Sequence, residues 1–125
     1  MTSRADAILG WLGQRETESV ALLEQLVNQD SGTYDRAAVN RVGDILADAY
    51  ADLGFSVQRI SQPEFGDHIL ASRPGPDAGK SLLCIGHMDT VFSAGAAAAR
   101  PFRIRDGRAV GPGVVDMKGG LTVLI

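Results

Sequence analysis

Apolar positions in the first part of the chain recur at helical spacing. Ile8, Leu9, Trp11 and Leu12 fall in a short segment that Ser3 is placed to cap. Val20, Leu22, Leu23, Leu26 and Val27 form a wide stripe on a second helical segment. Asp30 to Asp35 is a polar loop rich in turn-forming residues. After it, Val39, Val42, Leu46, Ala49 and Leu53 return at steps of three and four, the clearest amphipathic helix in the chain. Gly54 stands where a left-handed residue ends such a helix.

The period then changes. Phe55, Val57 and Ile60 predict a strand, and Ile69 and Leu70 a second one after Gly66-Asp67. Residues 74–79 form a turn cluster. Ser81 to Ile85 is nearly all apolar, the pattern of a strand covered on both faces of a sheet. Phe102 and Ile104 alternate before Asp106-Gly107, a strong hairpin signal. Leu121 to Ile125 is ambiguous: Thr122, Val123 and Ile125 favour a strand by propensity, yet a helix opened by the preceding glycine-rich loop fits equally. Helices first, then a buried strand feeding a glycine, predict an α/β domain with its site at strand ends.

Composition narrows the class. The chain has 125 residues, 45% hydrophobic and 22% charged, which is globular and enough for a core. A formal charge of -3 without a basic tract gives no reason to expect nucleic acid or acidic lipid as partner. The lone cysteine, Cys84, cannot form an internal disulfide; its apolar neighbours predict a small buried thiol. Nothing reads as a signal peptide or membrane span, so the expected location is cytoplasmic. Glycine is the outlier, and it gathers late: Gly86, Gly107, Gly111, Gly113, Gly119 and Gly120 demand close approaches or unusual backbone there.

Two short stretches carry chemistry. Gly86-His87-Met88-Asp89 follows the most apolar strand directly. In extended backbone, positions i and i+2 face the same way, so His87 and Asp89 lie on one side. A metal site uses that arrangement: one ring nitrogen binds the ion while the other donates to a carboxylate that fixes the ring. A surface histidine with a neighbouring aspartate gives the same pattern. In the second stretch, Gly111 to Gly120, Asp116 lies between glycines as a hard oxygen donor. One carboxylate can bridge two ions roughly 3.5–4 Å apart. The same aspartate could instead cap a following helix, or the glycines could cradle a phosphate. The spacing does not match G-x-x-x-x-G-K-[ST], because Lys118 precedes the glycine pair.

The two stretches together, GHMDTV and GPGVVDMKGG with a PFRI segment between them, resemble the zinc-dependent exopeptidase and amidohydrolase family. That family includes glutamate carboxypeptidase, aminoacylase, acetylornithine deacetylase and succinyl-diaminopimelate desuccinylase. QDSGTYDRAAVNRVGDIL, LGFSVQRI and GDHILASRPG also look like the glutamate carboxypeptidase branch, so the resemblance covers roughly residues 15–125. It implies His87 as ligand of one zinc, Asp116 as the ligand bridging both, and Asp89 as the catalytic partner that orients His87. It further implies a cis peptide bond after Asp116 and a helix from Met117 onward. Two zinc ions are implied for the intact site, with cobalt or manganese as alternatives. The implied substrate is a small peptide or N-acyl amino acid, and the full-length parent is expected to be a homodimer.

The resemblance also shows what is not in the sequence. No glutamate follows Glu64, and the histidines are His68 and His87. The family's general-base glutamate, its further metal ligands and its inserted dimerisation domain follow the bridging aspartate, whereas this sequence ends at Ile125. His68 corresponds to no family ligand and reads as structural or solvent-facing. Residues 1–125 are therefore expected to be the N-terminal portion of a catalytic domain, a fragment that is inactive alone. The competing readings are a non-catalytic remnant prone to association and a phosphate-binding α/β domain.

Overall fold

The computed structural model describes residues 3–76 and 79–125; Asp77 and Ala78, inside the expected turn at 74–79, lie outside the described residues. Helix α1 spans Arg4–Gly13, and Ser3 caps it as its position predicts. The Ser3 hydroxyl accepts from the Asp6 backbone N–H, and the Asp6 carboxylate accepts from Ser3 in return. Helix α2 covers Glu16–Asn28 and α3 covers Arg36–Asp52. Asp35 opens α3 by accepting the Ala38 N–H at 2.9 Å. Gly54, at φ +79°, follows its end.

Strands β1, Ser56–Ile60, and β2, His68–Ser72, pair antiparallel with Ser56 opposite Ser72. This hairpin lies against α3. A short helix α4, Ala96–Ala99, leads to a second antiparallel pair, β3 (Arg103–Arg105) and β4 (Arg108–Val110). Asp106 and Gly107 turn it with φ of +50° and +71°, the left-handed pair that a two-residue hairpin needs. The chain closes with helix α5, Gly119–Val123, which resolves the ambiguous C-terminal stretch as a helix. The hydrophobic core joins α2, α3 and α5 through Leu26, Val42, Leu46 and Leu121, so the stripes read for α2 and α3 face inward, whereas Ile8, Leu9, Trp11 and Leu12 of α1 are exposed because no other described element covers that helix.

The α/β class holds, with the strands arranged as two separate two-stranded ladders. Two expectations fail together. Ser81 to Ile85 forms no ladder among the described residues, and Leu82, Leu83 and Ile85 are 91%, 75% and 80% exposed. Cys84 is exposed with them. An apolar strand is buried only if neighbouring strands and helices cover it, and the four strands here pair among themselves. His68 is exposed at the start of β2, as expected. No described helix is long and apolar enough to cross a membrane.

One polar cluster ties the hairpin to α3. The Asp67 carboxylate accepts from the Gln62 N–H at 3.0 Å, from Arg36 at 3.0 Å and from Asn40 at 3.3 Å. The Gln62 bond, then the Arg36 bond, holds its pKa below the ordinary carboxylate value, outweighing the opposing effect of burial. A lowered folded-state pKa contributes stability that is complete above the unfolded value and is lost as pH falls through the folded one. Thermal melts between pH 5 and pH 2 are thus expected to show a steeper acid loss for the native chain than for Asp67→Asn; equal slopes would show that Asp67 does not drive it.

Candidate metal centre

The site is built where three segments meet. The loop at residues 31–33 and the segment ending at Thr90 are laced together: the Thr90 N–H donates to Ser31 O at 2.7 Å, and the Thr33 N–H donates to Thr90 O at 3.0 Å. The third segment is the turn at Val114–Lys118, whose Asp116 and Met117 leave helical backbone angles. The Asp116–Met117 peptide bond is cis, as the resemblance implied. Glycines permit the crossing. Gly113 sits at φ +73°, and a Cβ there would lie 2.6 Å from the Thr90 methyl group. A Cβ on Gly86 would lie 2.8 Å from Leu121, so this glycine lets α5 reach the backbone next to His87.

These crossings bring the three predicted residues together. His87 Nε2 lies 2.9 Å from Asp116 Oδ1. His87 Nδ1 faces Asp89 in two ways, 3.0 Å from its main-chain carbonyl and 3.3 Å from carboxylate Oδ1. Asp89 thus meets this nitrogen with both its backbone carbonyl and its side chain. With an acceptor at each nitrogen, the ring donates to both only when doubly protonated. Partial burial opposes that charge, but the Asp116 bond, the Asp89 carbonyl and the two carboxylate charges outweigh it and raise the His87 pKa. His87, Asp89, Thr90, Phe92, Gly113 and Asp116 line a cleft of about 380 Å³.

The donor pair suits a small hard-to-borderline cation. Two ligands of a tetrahedral zinc with arms of about 2.0 Å stand roughly 3.3 Å apart, close to the His87–Asp116 spacing. The Asp116 side chain is 84% exposed, which leaves most of its carboxylate open to a second contact. Among the described residues no group of three or more His, Cys, Asp or Glu is gathered to hold an ion. Asp89 faces the far nitrogen of the ring, so two groups able to donate to an ion, His87 Nε2 and Asp116, meet on one side of the imidazole and one carboxylate stands on the other. The phosphate-cradle alternative gains no cation from Lys118, which is 2% exposed and whose Nζ donates to Gln29 O at 2.6 Å. Burial depresses its pKa to about 8, against a partly offsetting Asp30 charge.

Residues 83–125, which contain all three site residues, match the family model for Peptidase family M20/M25/M40. The chain is related to the M20/M25/M40 peptidases. Carboxypeptidase G2 of Pseudomonas sp. (strain RS-16) is 39% identical over 85% of this chain and 26% of its own length. Succinyl-diaminopimelate desuccinylases of Rhodospirillum centenum and Novosphingobium aromaticivorans are 37% and 30% identical, over 86% and 88% of this chain. The chain spans only 26–30% of the length of these relatives. Both kinds of enzyme are among the four that the resemblance included, beside aminoacylase and acetylornithine deacetylase, and the glutamate carboxypeptidase branch was the one it favoured.

Sequence reasoning missed two residues around this M20-like site. Thr33 Oγ1 donates to Asp89 Oδ2 at 2.6 Å, a contact spanning 56 residues. Asp30 accepts the backbone N–H groups of Gly95 and Ala97 at 2.7 and 2.9 Å, pinning the segment that leaves the site. Those bonds, Ala97 first, lower its pKa. Both lie in the polar loop after α2, where the motif QDSGT was part of the resemblance but no periodicity marks either side chain.

Proposed function

We propose that these residues are the N-terminal part of a two-zinc hydrolase that cleaves a peptide or N-acyl amide bond. In this reading His87 would be ligand to one zinc, Asp116 would be the carboxylate shared by both, and Asp89 would hold the His87 ring. The observation that carries this reading is the convergence of His87 Nε2 and Asp116 Oδ1 at 2.9 Å while Asp89 occupies the other ring nitrogen. A bound divalent ion supplies Lewis acidity toward a carbonyl and acidifies water at neutral pH. This chain's part is to present the two donors, fix the imidazole tautomer through Nδ1 and shape the cleft beside Phe92 and Gly113.

The general base and remaining ligands of such a site come, in this reading, from residues outside 1–125, as does the dimerisation domain of a homodimeric parent working in the cytoplasm. The 26% share of carboxypeptidase G2 that the chain matches supports it. The full-length protein is expected to hydrolyse N-acyl amino acids or short peptides with a free carboxylate and to lose that activity in excess chelator. The 125-residue chain alone is expected to turn nothing over. Full activity in chelator would remove the zinc reading.

A further inference from the structure

The loop at residues 31–33 does more than brace its neighbour. We infer that Thr33 is a positioning residue of the metal centre, acting on His87 through the Asp89 carboxylate. This deepens the metal-site reading above and rests on it. The Thr33 hydroxyl lies 2.6 Å from Asp89 Oδ2 and 3.2 Å from Thr90 O. A hydroxyl has one proton, and the shorter bond to a charged acceptor takes it.

The donor is itself fixed. Thr33 N–H is bonded to Thr90 O, Thr90 N–H to Ser31 O, and Gly32 and Thr90 form a parallel bridge. The hydroxyl therefore projects from backbone held on both sides. Asp89 is the recipient that needs it. A carboxylate turns easily about its last bond, because that torsion is broad. With Oδ2 tied to Thr33, Oδ1 is left 3.3 Å from His87 Nδ1. The ring then has a fixed plane, and its Nε2 faces Asp116. Without the hydroxyl, Asp89 keeps its main-chain carbonyl on the ring but loses the carboxylate's orientation, so the ring is held by one contact in place of two.

A purely structural brace predicts something different. The backbone ladder between residues 31–33 and Thr90 survives loss of the hydroxyl, so Thr33→Val is near in shape and keeps those bonds, while Thr33→Ser keeps the hydroxyl. Three measurements on the 125-residue chain separate the readings: cobalt(II) titration with its visible spectrum, the His87 ring N–H signals in metal-free nitrogen–proton NMR at fixed pH, and metal-free thermal melts. Thr33→Val is expected to weaken cobalt binding about 10-fold or more, the scale for removing an outer partner of a metal-binding histidine. It should also alter the spectrum and broaden or erase the Nδ1–H signal. Thr33→Ser should restore all three, with melting temperatures of both variants near native.

Native cobalt affinity and an unchanged Nδ1–H signal in Thr33→Val would overturn the inference. A native chain that binds cobalt no better than Asp116→Ala would instead remove the metal-site reading, and the metal-free ring signal would still decide whether Thr33 orients His87. Loss of folding in Thr33→Val but not in Thr33→Ser is resolved by the threonine-to-serine comparison: a Thr33→Ser chain with native fold but weakened cobalt binding and a lost ring signal also counts against the role of the hydroxyl.

Discussion

Asp116→Ala is expected to abolish measurable zinc binding by this chain, a loss of at least about 100-fold. Of the two donors that meet in the cleft, it removes the carboxylate and leaves one imidazole. The native pair already falls short of the three or four protein ligands of structural and catalytic zinc sites, so its affinity is modest, and a single neutral nitrogen binds more weakly still. His87→Ala should do the same from the other side. The fold should survive, because the Asp116 side chain is 84% exposed and its pair with His87 lies near the surface. An exposed ion pair contributes about 0–1 kcal/mol. Isothermal titration with zinc at pH 7.5, beside melts of the metal-free proteins, checks both halves. Asp106→Ala, a substitution on the distant hairpin turn, should bind as the native chain does. If Asp116→Ala bound zinc normally, the ion would sit elsewhere and the proposed bridging role would fall.

The legible part of the molecule was the part encoded locally. The Val39-Val42-Leu46 spacing marks the buried face of α3, Ser3 and Gly54 mark helix ends, and Asp106-Gly107 marks its hairpin, each through residues within a few positions. His87, Asp89 and Asp116 were legible for another reason. Their residue types and glycine neighbours are chemically specific even though the two stretches are 29 positions apart. What failed depends on the rest of the assembly. An apolar run such as Leu82-Leu83-Cys84-Ile85 states that burial is favourable, but not which elements provide it, and among the described residues none does.

Thr33 and Lys118 were hidden by a third cause. Each makes its decisive contact across more than fifty residues, with a carboxylate in one case and a carbonyl in the other. In the sequence Lys118 figures only as a lysine on the wrong side of its glycine pair for a phosphate loop. In the fold its tail is buried, and its ammonium serves the Gln29 carbonyl at the end of α2, where a helix leaves acceptors unmatched. A lysine beside glycines therefore has two destinations, and only the tertiary path of the chain decides between them.

That path is set by a small core, which makes Leu26→Ala the substitution expected to cost most stability. Leu26 is fully buried and packs with Val42, Leu46 and Leu121, so it joins α2 to both α3 and α5. Truncating such a leucine costs about 2–5 kcal/mol, depending on how far the cavity collapses. Domains have only about 5–15 kcal/mol in total. This chain leaves several large apolar side chains exposed, so the loss falls on a core with little reserve. Urea unfolding followed by circular dichroism should show a large fall in midpoint for Leu26→Ala. Leu83→Ala, at a 75% exposed position, should stay within about 0.5 kcal/mol. Equal effects would mean that the core is not where the structure puts it. The same substitution reaches the metal centre without touching it. Met88 and Met117 pack on this cluster, and each is the chain neighbour of a proposed zinc ligand, His87 and Asp116. Loosening the cluster frees both donors to drift apart, so zinc affinity should fall in Leu26→Ala and remain native in Leu83→Ala.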